Sequence, residues 1–263
     1  MEENRLSTKI KEVLEEEPLE RSGVDSKVFA VSEFSAVVKA YRNDNPKGNL
    51  FKKIQEFAGQ ELPDEIVNEI LVEILKSYYE YTERLRLFLE NDPNPLRQKV
   101  MLDGIEHGPN YKVESQGGIL VKVGGQTVSA GQNFVPGYNV ADLYQNKNKA
   151  NVSEERNSNL LPFGTELFRY FATWHTESAY PSSNGKKERA ALVELSGYLT
   201  EKLGFKVMLH PMNIKPFLEA DGSLTCIITD FAAIIWEFVN SNPELLKSVA
   251  KKYLSQRGLK RSQ

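Results

Sequence analysis

Between Pro63 and Glu90 the apolar residues fall at Val67, Leu71, Ile74, Tyr78, Tyr81, Leu85 and Phe88. Alternating steps of four and three mark a helix buried along its length. The stretch predicts roughly eight turns at 3.6 residues each, and any fold of the chain must be arranged around them. Pro63 suits the first turn, where its missing N–H is no loss. Asp64 and Glu65 complement the positive end of the helix dipole, and Asn91-Asp92-Pro93-Asn94-Pro95 ends the helix. Ile66, Ile70, Leu75 and Leu89 broaden the seam into a stripe. That favours packing within the chain over a self-dimerising coiled coil.

Weaker signals surround this helix. The pattern predicts a short helix over Leu6–Glu17, a strand over Lys27–Val31, a helix from Ser32 to Arg42 with Ser32 as cap, and a helix over Asn49–Ala58 closed by Gly59. Residues 117–129 read as a β-hairpin, two β-rich runs about Gly124-Gly125. Asn139–Asn159 is polar and asparagine-rich and reads as a mobile loop or linker. Thr165 is the expected cap of a helix bearing Leu167, Phe168, Phe171 and Trp174. Lys186–Leu203 reads as an amphipathic helix closed by Gly204, and Phe205–His210 as a strand. Asp221-Gly222 is a turn signal. From Leu224 the apolar run can be strand, buried helix or both, with helix expected over Asp230–Asn240. Asn242 caps a last helix through Pro243 and Glu244, with Leu245, Leu246, Val249, Ala250, Tyr253 and Leu254 inward and Gly258 at its end.

The fold class this implies is mainly α: helical bundle lobes with a small β-hairpin element between them, with α+β as the variant. The expected division is an N-terminal helical lobe over 1–116, the hairpin and polar linker over 117–160, and a C-terminal helical lobe over 161–263. A chain of 263 residues can bury a full core as one domain or two lobes.

No apolar run is long and clean enough to span a bilayer, and the Met-Glu-Glu-Asn start lacks the pattern of a signal peptide. The one cysteine, Cys226, sits among apolar neighbours and reads as an inert core thiol. Together these predict an intracellular, cytoplasmic protein. Net charge is −3, unevenly spread: residues 1–116 hold 23 acidic and 16 basic side chains, residues 117–263 hold 13 and 17. Such polarity can align copies head to tail or bring a partner to the basic half.

Signals for chemistry are sparse. The paired glycines at 124–125 have no helix behind them and no Gly-Lys-Ser/Thr, so a phosphate loop is not indicated. His107, His175 and His210 lack metal-helix spacing. The best acid–base or metal candidate is Asp103, Glu106 and His107 in a Gly/Pro/Asn-rich stretch, with Glu114 as a further carboxylate. A nuclease would require Glu-x-Lys on the following strand, and Glu114 is followed by Ser115-Gln116.

The clearest binding signal is Lys247, Lys251, Lys252, Arg257, Lys260 and Arg261, with no acid after Glu244. Such a cluster can neutralise phosphates by charge alone. Lys147, Lys149, Lys186, Lys187 and Arg189 are candidates to extend it. The expected function is therefore a non-enzymatic helical binding or assembly protein, nucleocapsid- or scaffold-like. It would form homo-oligomers and meet nucleic acid or an acidic protein surface, with no cofactor, no metal and no membrane. The alternative is a metal-dependent hydrolase or nuclease centred on Asp103, Glu106, His107 and Glu114.

Overall fold

The computed structural model describes residues 2–15, 26–31, 36–41, 50–58, 61–113, 119–123, 126–133, 135–148, 155–172, 180–181, 187–188, 191–207, 209–229, 239–240 and 242–256. It is a mainly helical α+β structure in two units. Unit 1 comprises Met1–Glu83, Ser115–Phe134 and Phe238–Gln263; unit 2 comprises Arg84–Glu114 and Val135–Glu237. The units do not follow the consecutive division at 116 and 160. Each gathers segments distant in sequence, because strand pairing and helix packing join them across the chain.

The long helix, α3 (Asp64–Asn91), forms as expected, and the chain passes from unit 1 to unit 2 within it, between Glu83 and Arg84. Its seam is filled within a single chain: Ile66, Val67, Ile70, Leu71, Ile74, Leu75 and Tyr78 are all buried. Beyond Tyr78 the buried stripe runs through Thr82, Leu85 and Leu89, while Tyr81 and Phe88 are half-exposed. A strict seven-residue repeat predicts 81 and 88. A straight helix drifts about 20° per heptad, and by the fourth heptad the inward position has moved on by one residue.

Unit 1 is built on a four-stranded antiparallel sheet in the order β1-β2-β7-β6. These strands are β1 (Ser26–Val31), β2 (Ala36–Tyr41), β6 (Ile119–Val123) and β7 (Gln126–Asn133). The expected 119–129 hairpin exists, with Val123 opposite Gln126, but it is half of a larger sheet rather than a separate element. The helix expected over 32–42 is strand β2. Six residues containing Val37-Val38 and Tyr41 suit a pleated surface, and β7, some ninety residues on, supplies the ladder. The register shifts between Val37 and Val38, and both valines are buried.

Helix α1 (Glu2–Leu14) lays Ile10 and Val13 on Phe29, Val38 and Ala40. Helix α2 (Leu50–Ala58) is tied to the entry of α3 by Gln55. Its carboxamide accepts from Leu62 N–H at 2.5 Å and donates to Leu62 C=O at 2.8 Å.

After the last turns of α3, unit 2 continues with the hairpin β3 (Val100–Leu102) and β4 (Ile105–His107). Its sheet has the order β10-β11-β5, from β5 (Pro109–Val113), β10 (Ile214–Leu218) and β11 (Leu224–Ile228). β11 pairs antiparallel with β10 and parallel with β5. As the central strand it is buried at every residue, which is why its sequence lacks alternation. The run after Leu224 is thus strand through Ile228; residues 230–238 lie outside the described ones.

The asparagine-rich run is ordered where it is described. It forms α4 (Val140–Asn146), capped by Asn139 Oδ1 on Asp142 N–H at 2.9 Å, and enters a 3₁₀ helix, Ser158–Phe163. That helix runs directly into α5 (Gly164–Phe171). The expected cap at Thr165 is therefore inside a continuing helical path and has no orphan N–H to satisfy; Trp174 and His175 lie outside the described residues. The two-residue strands β8 (Tyr180–Pro181) and β9 (Lys187–Glu188) pair, so helix α6 begins only at Ala191 and runs to Leu203.

Gly204, at φ +77°, ends α6 as expected. The segment after it is not a ladder strand. Its N–H groups at Val207 and Leu209 donate to the hydroxyls of Thr200 and Ser196 on α6, at 2.8 and 3.1 Å. Back in unit 1, the last helix is α7 (Pro243–Gln256).

Candidate functional site

Helix α7 sets three of the six expected cations on a defined scaffold. Asn242 C=O accepts from Leu246 N–H at 3.4 Å, so the helix begins where the Asn-Pro-Glu signal placed it. Leu246, Ala250 and Leu254 are buried, and α7 packs against α2. The helical period then turns Lys247, Lys251 and Lys252 outward, and all three are exposed. Lys247 Nζ donates to Glu244 at 2.6 Å, an exposed pair of the kind that contributes little to stability. Lys252 Nζ stands 5.9 Å from the Tyr253 ring centre. Burial, followed by the carboxylates Glu73 and Glu69 of α3, raises the Tyr253 pKa. Arg257, Lys260 and Arg261 lie outside the described residues. Among the proposed extensions, Lys147 belongs to unit 2, where its Nζ covers the Tyr144 ring at 3.8 Å. Lys187 falls in β9, and Lys149, Lys186 and Arg189 are outside the described residues.

The Asp103–His107 constellation has another explanation. The expected loop is the β3–β4 hairpin, with Val100 opposite His107 and Leu102 opposite Ile105. Asp103 and Gly104 form its two-residue turn, at φ +49° and +76°. That is the Asp-Gly turn whose twist matches paired strands. Adjacent strand residues point to opposite faces, which separates Glu106 from His107. Glu106 is exposed and takes the Lys99 ammonium at 2.9 Å. His107 is buried and its Nδ1 meets Gly222 C=O at 2.9 Å, pinning the Asp221-Gly222 turn. Glu114 lies outside the described residues, and β6, the strand expected to follow it, belongs to the sheet of unit 1. Among the described residues no group of three or more His, Cys, Asp or Glu side chains is placed to hold a metal ion. No helix there is long and apolar enough to cross a membrane.

Two further titratable groups of unit 2 are buried in its sheet. Cys226 lies on β11 with no exposure, and burial pushes its thiol far above the usual range. Tyr111, opposite Cys226 in the ladder, is buried edge-on to Phe171. Burial, then Tyr170, raises its pKa well above normal and keeps it neutral.

His210 caps the 3₁₀ turn Pro211–Asn213. Its Nδ1 accepts from Met212 N–H, and its own N–H donates to Asn213 Oδ1 at 2.9 Å. An accepting Nδ1 requires neutral imidazole, and burial lowers the His210 pKa from 6.5. The unfolded chain therefore binds the proton more readily than the folded one. Stability from this group is full above pH 6.5 and is lost as pH falls through that value toward the lower folded pKa. We expect His210→Asn, which keeps an acceptor but cannot titrate, to flatten the unfolding midpoint between pH 7 and 5 relative to the parent chain. Equal slopes for the two would refute the assignment.

The sequence reading missed two kinds of signal. One was legible: Asp103-Gly104 between short apolar runs is a hairpin turn. The other was not. Asn157 bonds to backbone at residues 138 and 216, and nothing local marks it among the neighbouring asparagines. No family model matches the chain, and neither a curated protein nor a solved structure matches it.

Proposed function

We propose that the chain is a non-enzymatic binding or assembly protein that meets nucleic acid through the outward face of α7. The observation that supports this is the division of α7 into a buried apolar side, Leu246, Ala250 and Leu254, and a cationic side, Lys247, Lys251 and Lys252. A folded helix holds these charges at fixed spacing, which a solvated tail does not. Lysines act as point charges on phosphate and carry no base information. Binding is then sequence-independent and salt-sensitive, and the net charge of −3 keeps it modest at physiological salt. Assembly into homo-oligomers in an intracellular compartment is part of the proposal.

Replacing Lys251, Lys252, Arg257, Lys260 and Arg261 with glutamine is expected to weaken binding of a labelled single-stranded oligonucleotide about 10–100-fold at low salt. The circular-dichroism melt is expected to stay in place, because Lys251 and Lys252 are exposed. Fluorescence anisotropy reads the first effect. Unchanged anisotropy titrations would remove the proposal. Light scattering with absorbance at 260 and 280 nm, at low and high salt, tests assembly: a multimer that loses its 260 nm absorbance in salt is expected.

A further inference from the structure

We infer that Asp103-Gly104 is a modification site, at which aspartate converts to isoaspartate through a succinimide, while the other Asp-Gly turn of unit 2, Asp221-Gly222, is protected. In this reaction the Gly104 nitrogen attacks Asp103 Cγ. A C–N bond forms, the Cγ–OH bond breaks, and the hydroxyl leaves as water with the amide proton. Water then opens the ring at the bond between that nitrogen and the Asp103 main-chain carbonyl carbon. The main chain now runs through Cβ and Cγ, and the α-carboxylate becomes the side group. One water leaves and one enters, with no oxidant or other reactant.

The step needs a carboxyl free to swing, an amide nitrogen outside any hydrogen bond, and little bulk on the following residue. Asp103, Gly104 and Ile105 are exposed, and a Cβ added at Gly104 would meet nothing within 4 Å. The ladder ends with Leu102 opposite Ile105, which leaves the Gly104 N–H outside it. Among the described residues neither that N–H nor the Asp103 carboxylate has a hydrogen-bond partner. Asp103 also holds φ +49°, a left-handed conformation that costs any residue with a Cβ. At Asp221-Gly222 both reacting groups are engaged. Gly222 N–H donates to Glu219 C=O at 2.9 Å. The Asp221 carboxylate accepts from the Ser223 N–H at 2.9 Å and the Ser223 hydroxyl at 2.7 Å, closing an Asx turn. The Ser223 hydroxyl, then its N–H, lower the Asp221 pKa, and an ionised carboxylate is the poorer electrophile. Isomerisation at Asp103 adds one atom to the main chain inside a two-residue turn. The Leu102–Ile105 register cannot survive it, so His107 is expected to lose its bond to Gly222 C=O.

The test incubates the full chain at pH 6 and 37 °C for four weeks, in buffer and in 6 M urea. Isoaspartate is then scored in tryptic peptides by methyl transfer from radiolabelled S-adenosylmethionine with a protein isoaspartate methyltransferase. Asp103 falls in peptide 100–112 and Asp221 in peptide 207–247, where Lys215-Pro216 stays uncut. Asn184-Gly185, whose sequence allows related chemistry, lies outside the described residues and falls in a third peptide, 170–186. In buffer, 100–112 is expected to accept several-fold more methyl than 207–247. In urea the ratio is expected to fall toward one, because the bonds at Asp221 and Gly222 are lost. Asp103→Glu, which would have to close a less favoured six-membered ring, is expected to abolish acceptance in 100–112 alone.

An unlabelled 100–112 peptide from the folded chain would overturn the inference. So would equal labelling of the two peptides in buffer, or labelling of 100–112 that survives Asp103→Glu.

Discussion

Asn157→Asp is expected to destabilise the protein by about 3–5 kcal/mol at neutral pH, the largest effect we predict for a single isosteric change. Asn157 is 1% exposed. Its Oδ1 accepts from Tyr138 N–H at 2.8 Å, and its Nδ2 donates to Tyr138 C=O at 2.9 Å and to Pro216 C=O at 2.8 Å. The side chain thus behaves like one residue of an added strand. It exchanges both backbone bonds with residue 138 and covers a carbonyl of β10, an edge strand where Pro216 has no N–H to give. A carboxylate of the same shape keeps the accepted bond and turns an oxygen on two carbonyls that had received donors. Buried acceptors facing a buried charge are the costly arrangement.

Burial raises the pKa of such an aspartate, so its folded state binds the proton more tightly than the unfolded chain. The deficit should shrink as pH falls from 7 to 4, because a protonated carboxyl can donate one of the lost bonds. Denaturant unfolding at the two pH values checks both parts. A loss below 1 kcal/mol at pH 7 would show that the bonds are replaced by solvent. Gly137 belongs to the same knot. It sits at φ +119°, and a Cβ there would stand 2.8 Å from Asn157 Oδ1. Gly137→Ala should therefore be strongly non-additive with changes at 157.

Gly164→Ala should cost about 3 kcal/mol for a different reason. Gly164 has an ordinary helical φ of −57°, so conformation is not at issue. A Cβ there would lie 2.3 Å from the Leu143 carbonyl oxygen, 2.6 Å from its carbon and 3.0 Å from Tyr144 N. These are backbone atoms of α4, and no rotamer change relieves the contact; α4 and α5 must separate. Separation loosens the packing around Leu143, Leu160, Leu167 and Phe171, all with no exposure. Gly197 is the control. It lies inside α6, and a Cβ there meets nothing within 4 Å. Gly197→Ala should stabilise by about 0.5–1 kcal/mol through helix propensity. Opposite signs are the expected result. The same sign for both in an unfolding titration would contradict the close crossing of α4 and α5.

At the candidate sites, legibility depended on how local the cause was. The cationic face of α7 could be read because helix period, cap and apolar stripe are all written between Asn242 and Gln256. Asp103, Glu106 and His107 looked like a catalytic group because three polar side chains are close in sequence. A strand places alternate residues on opposite faces, and one unrecognised Asp-Gly turn converts the group into a hairpin end, a surface ion pair and a buried structural histidine.

By itself the sequence determined the elements whose cause is local and repeated. These are the long helix with its terminal signals, the 119–129 hairpin, the Gly204 and Asp221-Gly222 breaks, and the start of the last helix. Periodicity over many residues and special backbone residues at ends act without reference to the rest of the chain. Tertiary structure alone decided the others. Ala36–Tyr41 is strand because β7 offers it a ladder. Asn139 and Asn157 are buried because they satisfy backbone that would otherwise be orphaned. Gly164 is required because another helix crosses it. The two units are assembled from distant segments because sheets and helix faces find partners by shape and hydrogen bonding, not by position along the chain.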